Sequence, residues 1–310
     1  MSPEALRERL ATLIAEKVPF SGKGRTQKRL LRLMEAGRED LTLAKLVEAH
    51  WDAIAILAEA GRSPVEGALY GVWAAGMPGT QLTLLREGEP WLLRGEKAFC
   101  SGSTLVERAL ITLSNPDGQL VDLDVAGNRE RIAFDASFWK TTAFAATETA
   151  HGVYRDAQVR ADEVVGDAGW YLTRAGFWHG ALGPAACWAG GAAGLVDYAK
   201  RQKRSDAHTL AHVGAMEAAV WAMRTYLTAA GVEVDADWNN AVKAQERALT
   251  VRHLVEQACT EVLRRFARAY GPAPLAANEA VGRRYAELDL FVRQSHAERD
   301  LEVLGRMVLG

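Results

Sequence analysis

The stretch Trp91-Leu-Leu-Arg-Gly-Glu-Lys-Ala-Phe-Cys-Ser-Gly-Ser103 reads as a hairpin whose second strand ends in Phe99 and Ser101. Side chains two positions apart share a strand face, so this spacing sets an apolar wall beside a hydroxyl hydrogen-bonding group. A second set is Gly176-Phe-Trp-His-Gly180, three bulky residues bounded by glycines, of which His179 titrates near neutral pH. A third is Ala189-Gly-Gly-Ala-Ala-Gly194. Glycine costs about 1 kcal/mol inside a helix and persists there for the close approach of a backbone or a ligand, and the sequence leaves both open. His208 and His212, spaced i,i+4, share a helix face as zinc ligands do. No acidic or cysteine third ligand stands at a supportive spacing, so no metal site is expected. Cys100, Cys187 and Cys259 lie far apart in apolar surroundings and read as reduced core thiols.

Three regions of different periodicity must position these residues. Residues 1–65 are helical: Ser2-Pro3 is an N-cap and N1 pair, apolar residues recur near every 3.6 from Leu41 to Leu57, and Gly61 marks the stop. Residues 66–167 hold short alternating runs between the turn signals Glu87-Gly88, Asn115-Pro-Asp-Gly118 and Gly127-Asn128, which predicts a middle antiparallel β domain. Residues 168–310 carry amphipathic segments near 169–203, 207–230, 238–269 and 283–306, which predict a four-helix bundle. The stripe Trp221, Tyr226, Leu249, Val251, Leu254, Val255 and Leu263 fits its core. The class is α+β with several domains. With 310 residues, 49% of them hydrophobic, the chain is long enough for a sizeable core. The formal net charge of −2 comes from mixed signs, so no nucleic-acid partner is expected, and Lys200-Arg-Gln-Lys-Arg204 reads as a solvated helix end. No apolar run approaches the roughly 20 residues that span a bilayer, and the N-terminus lacks signal-peptide character, so a cytoplasmic location away from membranes is expected.

In order along the chain, these features resemble the acyl-CoA dehydrogenase family over residues 66–310. Tyr70-Gly-Val-Trp-Ala-Ala-Gly-Met-Pro-Gly-Thr80 is similar to the family's first strand and its substrate-side loop, and Val153-Tyr-Arg-Asp-Ala-Gln-Val-Arg-Ala-Asp-Glu-Val-Val-Gly166 to the strand that leaves the β domain. Gly169-Trp-Tyr-Leu and Gly176 to Gly180 then lead into Ala189–Leu195, which looks like the first bundle helix. The resemblance implies an acyl-CoA dehydrogenase-like fold with a shortened N-terminal helical region. It also implies that Phe99 and Ser101 touch the isoalloxazine of FAD, and that Thr80, Phe177 and Trp178 stand at the substrate.

In the family a carboxylate removes the α proton of an acyl thioester while a β hydride passes to flavin. Here the segment that resembles the base-bearing one reads Leu290-Phe-Val-Arg-Gln-Ser-His-Ala-Glu-Arg-Asp300, with Ser295 or His296 at the base position, and the family's other base position falls at His179 or Gly180. No carboxylate stands at either, which makes His296 and His179 the candidate catalytic groups. Arg204 is the candidate for the cofactor pyrophosphate, with Asp206 where the family has an aromatic. The activity implied is oxidation of an acyl thioester carried by CoA or a carrier protein. The alternatives are a flavin-dependent monooxygenase on the same fold and a catalytically degenerate binding or assembly subunit. The family completes its FAD site from a neighbouring subunit, which implies a homodimer or homotetramer. Acyl chain and electron acceptor are not encoded in these motifs.

Overall fold

A computed structural model describes residues 3–114 and 118–310. Ser2 of the expected cap pair and Asn115, Pro116 and Asp117 of one expected turn lie outside the described residues. The chain folds as two compact units. Of the described residues, one comprises 3–17 together with Ala49–Phe177, and the other comprises Val18–Glu48 and Trp178–Gly310. The division thus differs from three consecutive segments at 1–65, 66–167 and 168–310, because the N-terminal helical region is shared between the two units.

The N-terminal helices are α1 (Pro3–Ile14), α2 (Thr26–Glu39) and α3 (Leu41–Glu59). α3 stops as its sequence predicts: Gly61 takes φ +72°, and the amides of Gly61 and Arg62 donate to Ala58 O and Leu57 O at 3.1 and 2.8 Å.

Among the described residues the first unit holds eight strands: β1 (Tyr70–Trp73), β2 (Leu82–Leu85), β3 (Trp91–Cys100), β4 (Arg108–Thr112), β5 (Leu120–Asp124), β6 (Ile132–Asp135), β7 (Ala150–Val159) and β8 (Val164–Val165). They form two four-stranded sheets, β1-β4-β5-β8 and β2-β3-β7-β6. Two expectations change here. The pair β1–β4 is parallel, whereas the other pairs among the described residues are antiparallel. Trp91–Cys100 is one ten-residue strand rather than a hairpin in itself, and its hairpin partner is β2, across a turn in which Gly88 takes φ +85°. Buried Tyr70, Leu110, Leu120, Val165 and Tyr171 pack with Ala53, Ile56 and Leu57 of α3 into this unit's core.

The sheets are also joined by a polar bolt. Lys97 of β3 is 5% exposed, and its ammonium donates to Thr112 O of β4 at 3.0 Å and to Thr112 Oγ1 at 2.8 Å. Among the described residues no carboxylate pairs with it, and burial pushes the Lys97 amine down to about 8. In the sheet of β4, the buried guanidinium of Arg108 joins Asp122 and Glu163 at 2.8 and 2.9 Å.

After the short helix α4 (Trp170–Thr173), α5 (Ala175–Gly180) leads into the second unit, whose helices are α6 (Leu182–Arg201), α7 (Ala207–Ala236), α8 (Ala241–Tyr270), α9 (Ala273–Ala277), α10 (Glu279–Val292) and α11 (Glu298–Leu309). The first expected bundle segment is therefore interrupted ahead of Leu182, and the last is broken between Val292 and Glu298. The apolar periodicity runs through both breaks, so it does not reveal them. α2 packs on α6, and the small-residue run explains how: a Cβ at Gly190 would collide with Met34 O and come within 2.7 Å of the Arg38 amide. Between helix packing and ligand proximity, Gly190 answers to packing. Leu249, Val251, Val255 and Leu263 are buried as expected, but Trp221 is 69% exposed and is not core. No described helix is long and apolar enough to cross a membrane.

Candidate functional site

In the first unit the outer surface of β3 is built around a backbone irregularity. The β3–β7 register shifts between Lys97 and Cys100, and Phe99 takes φ +61°, a left-handed conformation that costs a bulky residue roughly 1–2 kcal/mol. Strain of this kind persists where the surroundings enforce it. Ser101 lies just beyond the strand, and its carbonyl accepts from Trp73 Nε1 at 2.9 Å. The amides of Gly102 and Ser103 donate to Thr147 O and Glu148 O at 2.7 and 3.3 Å. The facing segment is itself contorted, with Phe144 and Glu148 at φ +58° and +46°.

The result is a rigid ledge. Cys100 is fully buried between Phe99, which is 37% exposed, and half-buried Ser101. The expected alternation in burial therefore survives although the strand geometry does not. The Phe99 ring meets Phe138 edge to face at 5.3 Å, and Phe138 meets His151 at 5.8 Å. His151 Nε2 is 3.1 Å from Glu96 Oε2. The Ser101 hydroxyl is hydrogen-bonded to Thr149 Oγ1 at 2.9 Å, and that oxygen to Thr147 Oγ1 at 2.8 Å. Thr147 in turn donates to Phe144 O at 2.8 Å, which fixes the direction of the chain of hydroxyls. The sequence does not single out Phe138, His151 or Thr149. Only the pairing of β3 with β7 brings the last two to Phe99 and Ser101, and that register is not legible in either strand alone.

Two other expected substrate contacts also lie in this unit. The Thr80 hydroxyl donates to Met77 O at 2.8 Å within its own turn. Phe177 sits edge to face with Tyr171 at 5.5 Å, against the unit's core. A Cβ at Gly176 would displace the ends of the Glu59 and Arg174 side chains, which are ion-paired there.

In the second unit Trp178 is half-buried and His179 is buried. His179 Nε2 lies 2.7 Å from Trp238 O, and a carbonyl only accepts, so Nε2 carries the proton and donates it there. That nitrogen is not a base. His296 instead stands at the break between α10 and α11, with 63% of its side chain exposed. Its Nδ1 lies 3.2 Å from Asp300 Oδ1, and its amide donates to Asp300 Oδ2 at 3.3 Å. Asp300 therefore fixes the tautomer with the proton on Nδ1 and leaves Nε2 as the acceptor.

Sequence reasoning misses Arg252. Its guanidinium is buried, lies 4.8 Å from the Trp188 ring centroid, and donates to Ala181 O and Gln294 O, both at 2.8 Å. It thereby ties the segment that follows His179 to the segment that precedes His296. Burial pulls its affinity for the proton down from the usual arginine range. The signal is a charged residue between Val251 and Val255 on the apolar side of α8. Arg204, the candidate for the pyrophosphate, donates to Asp206 Oδ2 at 3.0 Å and Ala269 O at 2.9 Å. Asp206, which replaces the expected aromatic, N-caps α7 by accepting from the Thr209 amide at 3.0 Å. Among the described residues no group of three His, Cys, Asp or Glu side chains is placed to hold a metal ion.

No protein-family model matches the chain, and no curated protein matches it by sequence. Solved structures do resemble it. Methanesulfinate monooxygenase MsuC from Pseudomonas fluorescens superposes with a TM-score of 0.79 at 17% identity, covering 99% of this chain and 89% of that one. TdsC from Paenibacillus sp. A11-2, in a complex with FMN and indole, gives the same TM-score of 0.79, 17% identity and coverage of 99% and 89%. The nitrososynthase from Micromonospora carbonacea var. africana gives 0.78 at 18% identity, covering 98% and 88%. At such identities the likeness speaks for the fold, and the chain has the acyl-CoA dehydrogenase-like fold.

Proposed function

We propose that the chain is a flavoenzyme of the oxygenase kind, a monooxygenase that uses reduced flavin and dioxygen. The observation that carries this reading is the commitment of His179 Nε2 to the Trp238 carbonyl, beside the lack of a carboxylate at either segment that resembles a base position, Ser295 or His296 and His179 or Gly180. A monooxygenase needs no group to take an α proton. The similarity to structures named as monooxygenases, and to one described with FMN, supports the same reading.

The ledge fits a flavin. The exposed Phe99 ring is an apolar wall held in a strained conformation, and the neighbouring Ser101 hydroxyl is oriented by Thr149 and Thr147. A bound flavin would supply two-electron redox chemistry and, when reduced, activation of dioxygen. The residues of this chain would bind and orient it. His296, with Nε2 left as acceptor, is the group proposed to hold or move a proton.

Oxidation of an acyl thioester with FAD as hydride acceptor is the second reading, favoured by the His296–Asp300 pair. In it the Nε2 of His296 takes the α proton. Its weakness is the exposure of that ring, because proton abstraction from carbon is helped by exclusion of water.

Flavin uptake is tested first, by quenching of FMN or FAD fluorescence. Phe99→Gly relieves the left-handed strain and is expected to keep the fold while weakening flavin binding about tenfold. Unchanged affinity removes Phe99 from the site, and a chain that takes up neither flavin is the degenerate subunit. Bleaching of bound flavin by an acyl-CoA without oxygen would establish the dehydrogenase. Oxygen insertion into a thioether, sulfinate or amine supplied with reduced flavin would establish the monooxygenase.

A further inference from the structure

In the second unit the C-terminal turns of α2 and α6 and the first turn of α10 surround a cavity of about 510 Å³, a size that holds a phosphorylated small molecule. Four arginines line it: Arg38, Arg201, Arg283 and Arg284. Three carboxylates stand against them, those of Glu39, Asp40 and Asp197, so the lining is net positive. Two of the four guanidinium groups are committed to carboxylates. Arg38 Nε and Nη2 donate to the two oxygens of Asp197 at 2.6 and 2.7 Å, and Arg283 donates to Asp40 Oδ2 at 2.6 Å and Glu287 Oε1 at 3.2 Å. The other two are not. Arg284 donates to Gly37 O and Glu39 O at 2.9 and 2.8 Å, which engages two of its five N–H groups with carbonyls and none with a carboxylate among the described residues. Burial lowers its affinity for the proton from the usual arginine range, and the neighbouring charge of Arg283 acts in the same direction. Arg201 is exposed and makes no hydrogen bond or ion pair among the described residues.

We infer that this cavity is a binding site for a phosphate-bearing small molecule, with Arg201 and Arg284 as the pair that recognises the phosphate. Charge count selects a dianion, because a monocarboxylate would leave one of the two guanidinium groups without an anionic partner. Shape selects phosphate, whose oxygens match the planar fork of a guanidinium. The helix end adds to both. Ala280 and Val281 of the first turn of α10 line the cavity, Asn278 Oδ1 accepts from the Val281 amide at 3.2 Å, and the N-terminal end of a helix favours negative charge. The Tyr198 hydroxyl, also in the lining, makes no hydrogen bond among the described residues and is a further donor for a phosphate oxygen. Gly194 of α6 leaves the room that the Arg284 guanidinium occupies, since a Cβ there would displace it. The site does not rest on the flavin reading. Arg204, the candidate for the cofactor pyrophosphate, does not line this cavity and is held instead by Asp206 and Ala269 O.

The test is isothermal titration calorimetry of the full chain with inorganic pyrophosphate, and with acetate as a monoanion control. Pyrophosphate is expected to bind saturably at one site per chain, and acetate at the same concentrations is not. Arg201→Gln changes an exposed side chain that no hydrogen bond ties to the fold, and it should raise the dissociation constant about tenfold. Arg201→Lys keeps the charge without the fork and should fall between the two. Asp197→Asn removes one of the three opposing carboxylates and should lower the dissociation constant about fivefold, a gain that a variant defective in folding would not give. The source of the phosphate is read with FMN. Flavin uptake that Arg201→Gln leaves unchanged supports a separate site, whereas an FMN affinity that falls in step with that for pyrophosphate makes the phosphate the cofactor's own and overturns it. The proposal is also overturned by a wild-type chain that does not bind pyrophosphate or binds acetate equally well. Binding indifferent to Arg201→Gln, or weakened by Asp197→Asn, overturns it too.

Discussion

Lys97 gives a stability test whose sign and size follow from its surroundings. A lysine that titrates at about 8 in the folded chain and near 10.5 when unfolded binds its proton less well in the folded state. Below pH 8 both states hold the proton, and the folded state bears the whole penalty of a desolvated ammonium, about 3 kcal/mol at 1.36 kcal/mol per pH unit. Between pH 8 and 10.5 the folded amine is neutral while the unfolded one is still charged. Stability therefore rises with pH in this window, by about 2 kcal/mol from pH 7 to pH 9.5. Lys45, pushed down to about 8 by burial in the other unit, contributes a similar rise, and the Cys100 thiol, pushed up to about 12, lies outside the window. Lys97→Met removes one of the two lysines at nearly constant volume. The assay is urea unfolding of both proteins at matched pH, because titrations of groups that do not interact with Lys97 cancel in the difference, and Cys100, which does interact, titrates above the window. Lys97→Met should have its largest relative stability at pH 7 and lose about 2 kcal/mol of that advantage by pH 9.5. A difference independent of pH would mean that the ammonium is not desolvated and that the bolt between the sheets is hydrated.

Two further outcomes follow from local packing. Gly190→Ala should destabilise the helical unit by about 3 kcal/mol, because the new methyl group meets the backbone of α2 rather than a side chain that can swing away, and a thermal melt measures this. The Asp206 carboxyl is held down to about 2 by the amide and hydroxyl of Thr209, so its contribution as the α7 cap is complete above the usual carboxylate pKa of about 4 and is lost as pH falls toward 2. Asp206→Asn keeps a capping oxygen but should remove that acid dependence, and circular dichroism between pH 5 and pH 2 compares the two chains.

The sequence is most legible where a local rule decides the structure. Gly61 ends α3 because only the left-handed turn there satisfies its last carbonyls, and Gly88 turns β2 into β3 for the same conformational reason. Alternation predicts that Phe99 and Ser101 flank a buried Cys100, and burial obeys it. What alternation cannot predict is φ +61° at Phe99, because the staple that enforces it is a contact with residues 144–149, some fifty positions away. The histidines show the same divide. Their ring chemistry is legible, but which nitrogen is committed depends on the Trp238 carbonyl for His179 and on Asp300 for His296. Periodicity runs through the break at 293–297 because Leu301, Val303 and Leu304 continue the apolar pattern in α11.

Trp221 is the most instructive departure, since its spacing is that of core and its exposure is that of surface. Hydrophobic periodicity reports that a face must be covered, not by what. For Leu249, Val251, Val255 and Leu263 the cover is supplied by this chain. For Trp221 it is not, and at about 25 cal/mol per Å² of apolar surface an exposed indole of some 200 Å² leaves several kcal/mol unrealised in a single copy. The period that mispredicts Trp221 as bundle core reports only that a face is apolar, so the misreading concerns what lies against that face and not the periodicity itself.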